Sequence, residues 1–427
     1  MLALVVSRLG AFAVLFAGMV LFSALGIVEE SDTRHGEVTR TMFHAVQAAR
    51  SEAFFGLSLI GVIALLVHVG RTTMADWSPV AVIFLLLGMF DGVLDGYHKG
   101  SAARVGENVV GAVVSIVPLA MLLPAMFRTT GSVRAGMRAV GWVGLAWAVG
   151  VVLQLGVNRA GLTLGQGGRF RGLLGNPQHA GVYLAMTLTV CSWLMVNEST
   201  RRWRLLWALV GGACGIMIVW TGSRTSALMG LIGLAAVFYS RIGRLILFAP
   251  AIGIGVFGGL QLLESFGVVL TADRLVSTDN TRAGAWTRMI ESASDSPIMG
   301  NGTAFAGSSE NSLMLAVASY GVGSGLLMLA LYAAMAVMWL KYLIVRWSLH
   351  SDERNLGDTA AGLMFAYFVG SNFEGYGVAR VSVMSVFLVF SASILHMVIQ
   401  TARSRQLTTE EPAEHNQSLE QLHTEFH

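Results

Sequence analysis

"AGVYLAMTLTVCSWLMVNESTRRWRLLWALVGGACGIMIVWTGSRTSALM", residues 180–229, sets two apolar runs on either side of an arginine-rich turn. Ala180 to Val196 and Leu205 to Trp220 each lack a charged side chain. A helix of about 20 residues crosses the roughly 30 Å hydrocarbon core of a bilayer, and each run with its flanks reaches that length. Within lipid a helix satisfies its own backbone N–H and C=O groups. The stretch therefore reads as a transmembrane helical hairpin.

Outward from it the same pattern recurs along almost the whole chain of 427 residues, of which 54% are apolar and 12% charged. Soluble chains carry about a quarter charged residues, so composition excludes an ordinary soluble enzyme. The fold class expected is all-α: a polytopic transmembrane helical bundle of about twelve spans. They lie at 2–28, 53–70, 78–94, 107–127, 136–157, 180–197, 203–221, 225–240, 243–263, 311–340, 357–374 and 381–401. The first run is too long for a signal-peptide core and reads as a retained span. Residues 1–402 then form one integral membrane domain. The polar stretch 403–427 has no apolar periodicity and is expected to be a disordered tail. Cys191 and Cys214 fall inside apolar runs and read as small packing residues. The fifty glycines suit close helix approach.

The short loops "FRTTGSVRAGMR", "NESTRRWR" and "SRIGR" share one side and are dense in arginine. The positive-inside rule makes that side cytoplasmic, with both termini, and puts the long loops 29–52, 158–179 and 264–310 outside. Arginines in those outer loops are then a surplus that topology does not require.

Three outer segments gather them. "RFRGLLGNPQHAG", 169–181, carries Arg169 and Arg171 on a turn marked by Gly172, Gly175 and the Asn176-Pro177 pair. "TGSRT", 221–225, places Arg224 at the outer end of a helical hairpin. The third segment runs from Thr278 to Gly321. There Trp286, Met289, Ile290 and Ala293 recur at helical spacing, and Pro297 marks a stop. A short amphipathic helix on the membrane surface is predicted, with Arg282 in its first turn and Trp286 at the interface. "SPIMGNG", with Gly300, reads as a flexible turn, and Glu310-Asn311 open the tenth span.

In order and spacing these pieces resemble the O-antigen ligase and O-antigen (exopolysaccharide) polymerase superfamily of bacterial membrane glycosyltransferases. They are R-x-x-G-x-x-x-N-P at 169–177, T-G-S-R at 221–224, R-x-x-x-W at 282–286, P-x-x-G-x-G at 297–302, and a polar pair before an apolar helix with "YG" at 310–321. The resemblance covers about residues 160 to 345 of the chain. It implies an inner-membrane enzyme, active on the outer (periplasmic) face. The enzyme would move a glycan from an undecaprenyl diphosphate carrier to an acceptor hydroxyl on a glycan or lipid. It would use no metal, cofactor or nucleic acid, and could work beside other polysaccharide-assembly proteins.

Arginine suits such a donor because its planar fork stays protonated and matches phosphate oxygens. By the resemblance, Arg224 and Arg282 hold the diphosphate, with Arg169 or Arg171 as a third ligand. Asn176, Pro177, Trp286, Gly300 and Asn311 support the loops. Where the family's ligases carry a histidine before the tenth span, this chain has Glu310. Glu310 is the base candidate and His179 a weaker one. The missing histidine favours a polymerase over a lipid A-core ligase. A flippase of lipid-linked sugars is the rival of another class; it would be expected to show internal repeats and midplane charges. Asp91 and Asp95 read as marking a helix end, and Gln154 and Glu374 as polar residues with either a packing or a cavity role.

Overall fold

The computed structural model describes residues 2–25, 41–68, 77–164, 168–239, 283–302, 311–375 and 382–425. The expected ninth span, 243–263, Arg282 and Glu310 lie outside them. The helices are α1 Leu2–Ser23, α2 His44–Ala48, α3 Arg50–His68, α4 Pro79–His98, α5 Ala102–Val117, α6 Leu123–Met126 and α7 Thr130–Val157. They continue with α8 Pro177–Asn197, α9 Arg201–Thr221, α10 Arg224–Phe238, α11 Ala283–Asp295, α12 Ser312–Val345, α13 Ser351–Ser371 and α14 Val383–Glu425. A two-residue antiparallel pair, β1 Thr163–Leu164 with β2 Arg169–Phe170, closes the loop before α8.

Seven of these segments are long and apolar enough to cross a membrane, and α10 and Gly10–Ser23 are shorter apolar helices. The chain is therefore a membrane-embedded helical bundle. Leu209, Leu231 and Ile344 are largely exposed on its perimeter, as expected of side chains whose solvent is lipid. Inside, Phe12, Phe16, Phe127 and Phe390 interlock with ring centroids 5.0 to 5.8 Å apart, joining α1, the residue after α6 and α14. The last helix continues to Glu425, through the stretch whose composition suggested disorder. Its Glu, Gln and Leu residues are good helix formers.

Helix starts follow local chemistry. Asn176, Ser223 and Asn311 cap α8, α10 and α12 by accepting from the backbone N–H of Gln178, Ser226 and Met314. Pro177 occupies the first helical position of α8, where no N–H is needed. These caps share one end of the bundle with Arg224. The α8–α9 turn at Glu198 marks the opposite end.

α12 is where the structure departs most from the sequence reading. It is interrupted at Gly321, whose φ of 76° and ψ of −173° are not helical. A Cβ on Gly325 would lie 2.5 Å from the Val317 side chain. In a straight helix residues eight apart are separated by about 12 Å, so the chain bends sharply back here. The segment 297–302 docks into the break. Asn301 and Gly302 donate to the Ala318 and Ser319 carbonyls at 2.9 Å, and Val322 donates to the Pro297 carbonyl at 2.8 Å. "SPIMGNG" is thus pinned rather than a flexible turn. Gly300 and Gly321 permit the approach, because a Cβ on either would fall 2.3 Å from the Ser319 carbonyl carbon or 2.0 Å from the Ile298 oxygen.

The predicted surface helix exists as α11, with a different face inward. Ala285, Met289 and Ser292 are buried, with Trp286 and Ala293 packed beside them, while Ile290 is 55% exposed. This apolar face is covered by protein instead of lipid.

Candidate functional site

Three separated segments meet around the T-G-S-R turn. α9 ends at Thr221, left-handed Gly222 reverses the chain, and Ser223 caps α10, which begins at Arg224. Thr221 Oγ1 donates to the Ile218 carbonyl at 2.7 Å and accepts from the Ser223 N–H at 3.1 Å, so the turn is internally fixed. The Arg224 side chain is exposed in the first turn of α10, where unsatisfied backbone N–H groups and the helix dipole favour an anion.

Arg169 comes to this turn from β2: its Nε donates to the Thr221 carbonyl at 3.0 Å. Its near neighbour Arg171 turns the other way. It is 2% exposed, and its Nη2 donates to the Gly161 carbonyl at 3.1 Å. Burial pulls its pKa down from the ordinary arginine value. The strand period of two would put both on one face, but β2 ends at Phe170 and the chain turns inward at Arg171. Of the two candidates, Arg169 is therefore the one at the turn, and Arg171 holds the loop together. Phe170 between them stacks on Trp220 at 4.7 Å, and Arg159 lies over the same indole at 5.5 Å. Arg159 is thus a further arginine at this end; its cation–π contact joins residues too far apart in sequence for a motif to reveal.

From the other side comes Glu374, just past α13 and 3% exposed. Its Oε1 accepts from Thr225 Oγ1 at 3.3 Å, and its backbone carbonyl accepts from Ser312 Oγ at 2.7 Å. Asn311 Nδ2 donates to the Asn372 carbonyl at 2.9 Å. The start of α12, the end of α13 and the start of α10 are therefore tied together, with a carboxylate buried at the knot. Sequence left Glu374 open between a packing and a cavity role; the contacts to Thr225 and Ser312 come from the packing of α10, α12 and α13.

His179 sits half-buried in the first turn of α8. The neighbouring Gln178 carbonyl accepts from Ser226 Oγ at 3.4 Å, which places this turn against α10. Asn176 and Pro177 act as cap and first residue of α8. Trp286 is on α11 and packs against the core. Gln154 is structural: its Oε1 accepts from the Met42 N–H at 2.7 Å and its Nε2 donates to the Asn158 carbonyl. Asp95 fits the helix-end reading, paired with Lys99 at 2.5 Å and with Asn108. Asp91 does not: it is fully buried within α4 and accepts from Ser324 Oγ at 2.6 Å, just beyond the α12 break.

No family model matches the chain, and no curated protein matches it either.

Proposed function

We propose that the protein is a membrane glycosyltransferase that moves a glycan from an undecaprenyl diphosphate carrier to an acceptor hydroxyl, with a polysaccharide polymerase favoured over a ligase. The observation that supports it most is the meeting of Arg169, the Arg224 turn and buried Glu374 at one end of the bundle. By the positive-inside argument this end is the outer one.

The chemistry needs few parts. The acceptor oxygen attacks the anomeric carbon, the carbon–oxygen bond to the diphosphate breaks, and the hydroxyl proton passes to a base. The undecaprenyl diphosphate leaves carrying the electron pair. Guanidinium groups beside a helix N-terminus stabilise that developing negative charge, and they act more strongly where water is partly excluded. Glu310 remains the base expected from the resemblance. Glu374, buried beside Thr225 at the start of α10, is a second carboxylate candidate.

The broken α12 is the one feature that favours a transporter, since discontinuous helices often line transport sites. In those sites the freed backbone groups face the cargo. Here the carbonyls at 318 and 319 are taken by Asn301 and Gly302, which makes the break a structural joint and supports the enzyme.

Purified protein incubated with an undecaprenyl diphosphate oligosaccharide tests the proposal. Products of rising length identify a polymerase, and a single addition to an added acceptor identifies a ligase. Unchanged donor, with transfer of the intact donor between leaflets of a proteoliposome, would establish the flippase in its place.

A further inference from the structure

The outward face of α11 carries Arg288, Glu291 and Asp295 at helical spacing, and these residues border a cleft of about 590 Å³. His98, Ser292 and Asn301 line the rest. The volume lies in the range of small-ligand sites, roughly 300–1,000 Å³. Two of its walls are fixed. The His98 Nε2–H donates to the Met299 carbonyl at 2.9 Å, and Asn301 Nδ2 donates to the Ser292 carbonyl at 2.8 Å and to Ser292 Oγ at 3.1 Å. The same Asn301 is locked into the α12 break, so the cleft has a rigid floor.

The side chains of Arg288, Glu291 and Asp295 make no ion pair and no hydrogen bond among the described residues. Two carboxylates four residues apart on one helix face repel each other, so the arrangement does not favour α11 by itself. With one cation and two anions the cleft carries a net negative charge, which disfavours a diphosphate. The group types are complementary to a hydroxyl-rich molecule. Carboxylates only accept, the guanidinium only donates, and a sugar hydroxyl does both. Tyr97, next to His98 on α4, is 60% exposed and edge-on to the His98 ring at 5.8 Å.

We infer that this cleft binds the acceptor saccharide. The inference rests on the glycosyltransferase reading for its role in catalysis, and on the cleft alone for sugar binding. The first arm of α12, residues 312–320, lies between the two places. It starts beside the Glu374 knot and ends under Asn301. At 1.5 Å per residue it spans about 13 Å. A glycan lying in the cleft could extend its terminal hydroxyl along that arm toward Arg224 and Glu374.

The test uses the full chain in nanodiscs and short lipid-free oligosaccharides released from bacterial exopolysaccharides. Saturation-transfer NMR should show sugar ring protons in contact with the wild-type protein and a loss of that signal in the Glu291→Gln/Asp295→Asn double variant. Both positions are on an exposed face and both changes keep shape, so the fold is expected to survive. In transfer assays the double variant should raise acceptor KM roughly tenfold, as expected for losing two charged hydrogen-bond acceptors. Donor KM and kcat should stay within about twofold. An unchanged acceptor KM in an enzyme that does transfer glycan would overturn the cleft and leave the enzyme reading intact. Sugar binding that the variant abolishes, in a protein with no transferase activity, would keep the cleft and remove the enzyme reading. Tighter donor binding in the variant would show that the cleft faces the diphosphate instead, and would overturn the proposal.

Discussion

The two ends of the bundle hold their arginines in different ways. At the Glu198 end, Arg138 grips Glu198 through two hydrogen bonds of 2.7 and 2.9 Å, and Arg346 grips Asp358 with the same geometry. Arg405 pairs with Glu353 at 2.6 Å. Each is a planar fork closed on a carboxylate, which fixes helix ends and spends the charge. At the Arg224 end Arg169 donates to the Thr221 carbonyl and Arg171 to the Gly161 carbonyl. A carbonyl orients a guanidinium without cancelling its charge. The forks at the Glu198 end fix helix ends, whereas the Arg224 end is the one that would meet the diphosphate under the proposed function.

Substitutions can break or sharpen that contrast. The largest effect is expected from Arg224→Lys, which keeps the charge and loses the fork. Transfer from a lipid diphosphate donor should fall about 100-fold or more, as for loss of a donor aimed at developing charge. Arg282→Lys should behave alike, with lipid-linked units accumulating in cells. If either variant makes polymer at the wild-type rate, the Arg224 end loses its claim to the diphosphate.

Gly321→Ala tests the joint that supports that end. The new Cβ would meet the Ile298 oxygen at 2.0 Å, at a φ of 76°. A loss on the order of 3 kcal/mol is expected from the strain and the clash, read as a lower unfolding midpoint. An unshifted midpoint would mean that the docking of 297–302 contributes little.

At the Glu198 end the effects should be on stability and should depend on pH. Arg138 holds the Glu198 carboxylate below the ordinary carboxylate range. A depressed folded-state pKa contributes stability above the unfolded value, and that stability is lost as pH falls through the folded one. Wild type should therefore lose stability on acidification below about pH 4.5, and Glu198→Gln should flatten that loss. At neutral pH the variant should cost about 1 kcal/mol, because Arg138 is half-exposed. Its transferase activity should be unchanged. A fall in activity matching that of Arg224→Lys would erase the distinction between the ends.

The smallest effect is expected at Lys99–Asp95, a pair four apart at the end of α4 with a partly exposed lysine. Lys99→Met should change stability by less than about 0.5 kcal/mol, measured in the same unfolding assay.

The bundle was legible because lipid tolerates almost nothing except long apolar helices, and the runs 180–196 and 205–220 became α8 and α9 within a few residues. The T-G-S-R turn was legible for a similar local reason: a glycine after one helix and a serine before the next. The bend at Gly321 was hidden, since glycine is ordinary in membrane helices and nothing nearby breaks the apolar pattern. Ile290 was placed on the wrong side because helical spacing fixes a stripe without saying how wide it is. Arg169 and Arg171 could not be told apart, since only the end of β2 decides which one turns inward.

Sequence by itself determined the material: an apolar helical bundle, its hairpins, and arginines in the loops at both of its ends. These depend on the residues within a few turns of one another. Tertiary structure alone decided which arginine meets the T-G-S-R turn, that Glu374 is buried against Thr225 and Ser312, and that α12 folds back on 297–302. Those contacts join residues 52, 149 and about 20 positions apart. They follow from how the helices pack, which no local pattern encodes.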